Sequence, residues 1–167
     1  TFTNDHEAVN ESIASLDSYE VTDPGTNLNG AVISGLDILD DIARGTSEGM
    51  SDASLVVFTD GTDTSSRVSN EEAALAVAST DHSVYAVGLG EEVDSSHMDA
   101  IGVSGFYSAT NIEALEGAFD RVATSIRNAA SSIYILAYCS PKRAGDHTLE
   151  IQLNGTDAAT TYVFNAD

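Results

Sequence analysis

A chain of 167 residues suits one domain, or one domain with a small extension, and its 42% hydrophobic content supplies a core and argues against disorder. Six Lys plus Arg stand against 27 Asp plus Glu, a formal net charge of -21 that excludes nucleic acid and anionic membrane surfaces as natural partners, because the phosphate term is repulsive. No apolar run approaches the roughly 20 residues that cross a bilayer, so no membrane span is expected. The acidic balance suits cation binding and a saline or extracellular setting, where salt screens self-repulsion. The chain opens at Thr1 without a Met, which reads as a mature or trimmed product. Cys139 is the single cysteine, so no disulfide can close within the chain. It is expected either as a small hydrophobe in the core or bridged to a cysteine outside the chain.

Thr1 to Asn4 reads as the tail of a strand. Asn4 and Glu7 have the spacing of an N-cap with a reciprocating acid, and Val9, Ile13 and Leu16 recur behind them at helical intervals. Asp23-Pro24-Gly25-Thr26-Asn27 ends this unit in a turn. From Leu28 a second helix is predicted, with Val32, Leu36 and Leu39 on one face and a stop near Gly45. Residues 46 to 52 are polar and read as a loop.

Ser54-Leu55-Val56-Val57-Phe58-Thr59 is a continuous apolar run that stops at Asp60-Gly61-Thr62-Asp63. Such a run predicts a strand buried on both faces of a parallel sheet, and ligands bind outside the carboxyl ends of such strands. Asp60 is therefore a candidate functional residue, against the alternative of a solvated turn carrying two acids. Ser69 and Glu72 have capping-box spacing before an alanine-rich helix, and Ser83 to Leu89 is the next strand. Its Gly88-Leu89-Gly90 end is no phosphate site, since Val93 stands where a third glycine would and Glu91 and Glu92 repel phosphate. A short helix around His97 to Ile101 and a brief strand at Phe106-Tyr107 lead to a Thr110/Glu113 capping pair. The longest helix follows, with Ile112, Leu115, Phe119, Val122, Ile126 and Ala129 spaced by three and four. From Ile133 the style changes: Ile133 to Cys139, Thr148 to Leu153 and Thr160 to Phe164 read as antiparallel strands, with Lys142-Arg143 in the first connection.

Gly25-Thr26-Asn27-Leu28 before a helix and Val57-Phe58-Thr59-Asp60-Gly61 ending a strand are followed in order by Val84 to Gly90 and by Gly105-Phe106-Tyr107 with its long helix. In this order the chain resembles a von Willebrand factor type A domain over residues 1 to about 130. The resemblance implies an α/β fold, a doubly wound, mostly parallel Rossmann-like sheet, with residues 133–167 as an antiparallel β extension and 1–132 as a partial type A-like domain. The family's metal-ion-dependent adhesion site combines an Asp-x-Ser-x-Ser loop after the first strand with a later threonine and aspartate. By resemblance Thr26 stands at the threonine and Asp60 at the aspartate, oxygen ligands suited to Mg²⁺ or Ca²⁺. Asp63 either adds charge to that site or is a solvated loop residue.

No Asp-x-Ser-x-Ser loop precedes Thr26, and neither Asp17-Ser18-Tyr19 nor Asp94-Ser95-Ser96 replaces it. In the family the first strand lies beside the strand ending in Asp60. The sheet is therefore expected to be incomplete, its vacant edge covered by an additional segment or subunit. The resemblance implies an extracellular or cell-surface, non-enzymatic protein-binding or adhesion module that takes a protein ligand through a metal-coordinating carboxylate. The alternative is a structural or assembly component with a degenerate metal site, motivated by the missing loop. No enzyme is expected: no nucleophile and base pair stands out, and Gly102-Val103-Ser104-Gly105 lacks the spacing of a nucleophile elbow. His6, His82, His97 and His147 have no zinc-ligand spacing and read as surface or packing residues. Asn10-Glu11-Ser12 and Asn154-Gly155-Thr156 match the glycosylation tripeptide, a pattern too common to carry weight.

Overall fold

The alternation of apolar strands with amphipathic helices folds as its spacing dictates. In the computed structural model, residues 3–21, 25–45, 53–134, 136–139 and 144–165 are described. Two compact units emerge, Thr1–Ser132 and Ile133–Asp167.

In the first unit β1 (Ser54–Thr59), β2 (Ser83–Leu89) and β3 (Gly105–Ala109) form a sheet in the order β1-β2-β3 with both pairings parallel. The register sets Leu55 opposite Val84 and Ala86 opposite Phe106. β2 is central and buried on both faces from Val84 to Gly88, as its unbroken apolar run requires. The helices divide between the two faces. On one side α2 (Leu28–Gly45), α3 (Asn70–Ser79) and α4 (Ser95–Ile101) bring Leu28, Val32, Leu36, Ala73, Val77, Met98 and Ile101 onto Val57, Val84 and Ala86. On the other, α5 (Ile112–Ala130) lays Ala118 and Val122 on Tyr85, Val87 and Ala109. The fold is thus α/β and doubly wound. Gly35 permits the close approach of α2 to β1, since a Cβ there would stand 2.8 Å from Leu55 Cδ1.

β1 has β2 as its one strand neighbour among the described residues, and Val56 and Phe58 remain exposed. Phe58 meets Phe119 of α5 at 5.8 Å between ring centroids. A groove of about 300 Å³ runs along β1 beside the start of α2, lined by Thr26, Leu28, Ala31 and Leu55 to Thr59. α1 (His6–Ala14) is amphipathic yet buries nothing, leaving Val9 and Ile13 exposed.

Two caps fall one residue from their expected places. Asp5, not Asn4, caps α1, accepting the N–H groups of Glu7 at 3.0 Å and Ala8 at 3.3 Å; a carboxylate also complements the positive end of the helix dipole. Asn111, not Thr110, caps α5 through the Ala114 N–H. The Ser69/Glu72 box forms in both halves: Glu72 accepts the Ser69 N–H at 2.8 Å, and the Ser69 hydroxyl accepts the Glu72 N–H at 3.2 Å. The Ser69 backbone bond, followed by its side chain, holds Glu72 below its ordinary value of 4.5. A depressed folded value means that this contribution is present above pH 4.5 and is lost as pH falls through the lowered value. Thermal unfolding should show Ser69→Ala destabilised by about 1 kcal/mol near neutrality. Glu72→Gln should remove only the part of any acid-side loss that this one carboxylate contributes.

In the second unit β4 (Asp146–Gln152) and β5 (Ala159–Asn165) pair antiparallel, with Leu149 opposite Tyr162 and Ile151 opposite Thr160. His147 is buried and stacks on Phe164 at 5.2 Å. The expected strand at 133–139 is not one: its described residues carry no strand assignment, and Tyr134, Leu136 and Tyr138 are exposed. A strand needs a ladder partner, and apolar composition alone does not provide one. Cys139 is exposed, so the expected core cysteine is corrected. Thr3 and Asn4 are not strand, while residues 1–2, Asp23-Pro24, the loop 46–52 and Lys142-Arg143 lie outside the described residues.

Candidate metal-binding site

The carboxyl ends of β1 and β2 and the amino ends of α2 and α4 meet at one edge of the sheet. β1 alternates, so Val57 and Thr59 point into the core while Asp60, just beyond its end, is exposed. The Thr59 hydroxyl, buried, donates to Gly61 O at 2.9 Å and accepts from Gly61 N at 3.2 Å, which fixes the turn carrying Asp60. Thr26 sits half-buried just before α2. A Cβ placed on Gly61 would stand 4.0 Å from Thr26 Oγ1, so the threonine hydroxyl adjoins the turn of Asp60. The Thr26 hydroxyl and the turn that follows Asp60, far apart in sequence, are thus brought close.

The loop that follows wraps the start of α2. Thr26 O accepts the N–H groups of Thr64 at 2.9 Å and Ser65 at 3.0 Å, and Thr26 N donates to Thr64 Oγ1 at 2.9 Å. Asp63 is not a freely solvated acid: both its carboxylate oxygens are engaged. Its Oδ2 accepts the Asn29 N–H at 2.7 Å and its Oδ1 the Ser66 N–H at 2.9 Å. It is half-buried and caps the first turn of α2 from across the chain. Asp60-Gly61-Thr62-Asp63 therefore holds one acid facing solvent and one committed to backbone N–H groups.

Asn29 and His97 are residues that the sequence reading missed. Asn29 is 2% exposed and donates through Nδ2 to Val68 O at 3.0 Å and to Asn70 Oδ1 at 2.9 Å. Its Oδ1 meets His97 Nε2 at 2.6 Å. The signal was present: Asn29, Val32, Leu36 and Leu39 are the buried stripe of α2, and a polar residue on such a stripe demands partners. A cavity of about 90 Å³ opens beside this network, lined among others by Gly61, Thr62, Asp63, Asn70, Asp94 and His97. His82 bonds Asp40 at 3.1 Å at the opposite end of β2, and His6 is exposed on α1.

Among the described residues no group of three or more His, Cys, Asp or Glu side chains could hold a metal ion. The donor set of Thr26 and Asp60 is one hydroxyl and one carboxylate, hard oxygens that fit Mg²⁺ or Ca²⁺ as part of a shell completed by water or other ligands. No described helix is long and apolar enough to cross a membrane.

No curated protein and no solved structure matches the chain. The family model of the von Willebrand factor type A domain matches residues 1–121. Domains of this family are in general non-enzymatic protein-interaction modules, commonly extracellular or surface-associated, and often bind Mg²⁺ or Mn²⁺. With that match spanning the parallel sheet, α2 to α4 and the first half of α5, the chain belongs to the von Willebrand factor type A domain family.

Proposed function

We propose that the chain is an extracellular, non-enzymatic adhesion or protein-binding module whose ligand site uses a divalent cation held by Thr26 and Asp60. The observation that carries this reading is the adjacency of the Thr26 hydroxyl and the Asp60-Gly61 turn at the carboxyl edge of the sheet. Asp60 is exposed and open to solvent, whereas Asp63 beside it is committed to backbone N–H groups. A bound Mg²⁺ or Ca²⁺ supplies an electrophilic centre that accepts oxygen ligands, including a carboxylate of the protein ligand. The chain's own residues orient that site: Thr64 and Ser65 fix Thr26, and Thr59 fixes the Asp60 turn. Residues 1–132 act as the partial type A-like domain and 133–167 as its β extension.

The open edge of β1 and the groove beside it support a further element of the reading: an additional segment or subunit pairs with β1. A strand there would cover Val56 and Phe58 and lie next to Thr26, where it could bring the remaining ligands of the cation. A second reading, a structural or assembly component with a degenerate metal site, is favoured by the absence of a larger ligand cluster among the described residues.

Titration calorimetry of the full-length protein with Mg²⁺ and Ca²⁺ separates the two. The first reading expects saturable binding that Asp60→Ala weakens by about tenfold or more, equivalent to about 1.4 kcal/mol. No binding, or binding indifferent to Asp60→Ala, would sink it and leave the second.

A further inference from the structure

We propose that His97 is a positioning residue for this site: its Nε2–H grips Asn29 and so ties the start of α2, with Thr26 in front of it, to α4 and to the loop after Asp60. The inference rests on the cation reading for its functional consequence, but its structural content stands separately. Atom types fix the direction of each bond. Val68 O can only accept, so the Asn29 nitrogen must face it, and the second hydrogen of that nitrogen goes to Asn70 Oδ1. Asn29 Oδ1 is then the atom facing His97, and His97 Nε2 must carry the proton that joins them at 2.6 Å. No other orientation of either side chain satisfies all the partners.

The far end of this link is rigid. α4 is anchored by Met98 at 1% and Ile101 at 0% exposure, and its start is capped by Asp94, whose Oδ1 accepts the N–H groups of Ser96 and His97. The near end is Asn29 in the first turn of α2, whose own N–H is held by Asp63 and whose neighbour Gly30 donates to Ser66 Oγ at 3.1 Å. The loop 63–70 is thus bonded to Thr26 just before α2 and to Asn29 and Gly30 within it, and His97 adds a polar tie from α2 to the core helix α4 beside their apolar packing. Without it Asn29 Oδ1 is a buried acceptor with no donor, and the first turn of α2 must shift or admit water to satisfy it. Thr26 stands directly before that turn, so its placement beside the Asp60 turn depends on it.

The test uses the full-length protein with His97→Met, which fills space and keeps helix propensity but has no donor, and His97→Gln, whose amide N–H reaches the same point. His97→Asn, too short to reach Asn29, replaces His97→Met if that variant does not fold. Each is titrated with Mg²⁺ and Ca²⁺, and amide hydrogen exchange is measured in chelator. His97→Met is expected to weaken cation binding by about tenfold, and His97→Gln to stay within about threefold of the unsubstituted protein. Exchange at Thr64 and Ser65, whose N–H groups bond Thr26 O, should quicken in His97→Met and not in His97→Gln, with amides of β2 unchanged. A general loss of stability would instead quicken β2 as well. If the unsubstituted protein binds no cation, the cation reading fails while the exchange pattern still decides whether His97 positions Thr26. Equal behaviour of the Met and Gln variants in both measurements would overturn the proposal.

Discussion

Ile101→Ala is expected to lower the unfolding free energy by about 2–5 kcal/mol, toward the upper end of that range. Ile101 is fully buried among Val32, Val57, Val77, Val84 and Met98, where α2, α3 and α4 converge on the sheet. Collapse into the vacated space is blocked by the backbone behind it. A Cβ at the adjacent Gly102 would lie 2.8 Å from Ala86 Cβ and 3.0 Å from Met98 O, so α4 already sits as close to β2 as atoms allow. A residual cavity is therefore left, and its cost adds to the lost burial. Against a domain stability of about 5–15 kcal/mol this is a large fraction. Denaturant unfolding followed by circular dichroism measures it, with Ile38→Ala on the exposed face of α2 as the control, expected within about 0.5 kcal/mol of the unsubstituted chain. A loss below 1 kcal/mol for Ile101→Ala, on the order of the control, would show that α4 is not packed as described.

Asp63→Ala is expected to destabilise by about 3 kcal/mol, although a carboxylate in a glycine-containing turn looks replaceable. Its two oxygens serve the N–H groups of Asn29 and Ser66, from different parts of the chain. Removing them orphans both donors and strips a negative charge from the amino end of α2, where the helix dipole favours one. Asp60→Ala, three residues away, should change stability by no more than about 0.5 kcal/mol while removing the proposed cation ligand. Unfolding and calorimetry on both variants give opposite patterns for the two acids. Equal stability losses would mean that the assignment of one structural and one ligating carboxylate is wrong.

Much of this was legible because it depends on periodicity. The run Leu55 to Phe58, the stripe Val32, Leu36, Leu39 and the stripe Leu115, Phe119, Val122 each specify an element by local pattern. The Ser69/Glu72 box was legible for the same reason, since both partners lie within one turn. The caps slipped where two competent residues stand side by side, Asn4 with Asp5 and Thr110 with Asn111, and local backbone angles choose between them. The distinction between Asp60 and Asp63 was not legible, because it turns on which carboxylate meets the Asn29 N–H, 34 positions away. Asn29 stands on the buried stripe of α2 and so calls for a partner, but His97 lies 68 positions away and nothing local names it. The failed strand at 133–139 has the converse cause: the residues favour extension, but a ladder requires a second strand.

The two sheets also differ in when they can form. β4 and β5 are consecutive strands joined by a short turn at Asn154-Gly155, so their pairing closes a small loop and can be made in microseconds. β1, β2 and β3 are all parallel, and Leu55 cannot meet Val84 until α3 and its connections have been folded back across the sheet. Each such closure loses chain entropy before any pairing offsets it, which makes the larger unit the slow step. During synthesis β1 emerges before its neighbour β2 and waits for that ladder. The apolar run of β1 thus stands without its β2 ladder early in assembly, and the net negative charge of the chain sets copies to repel one another over that interval.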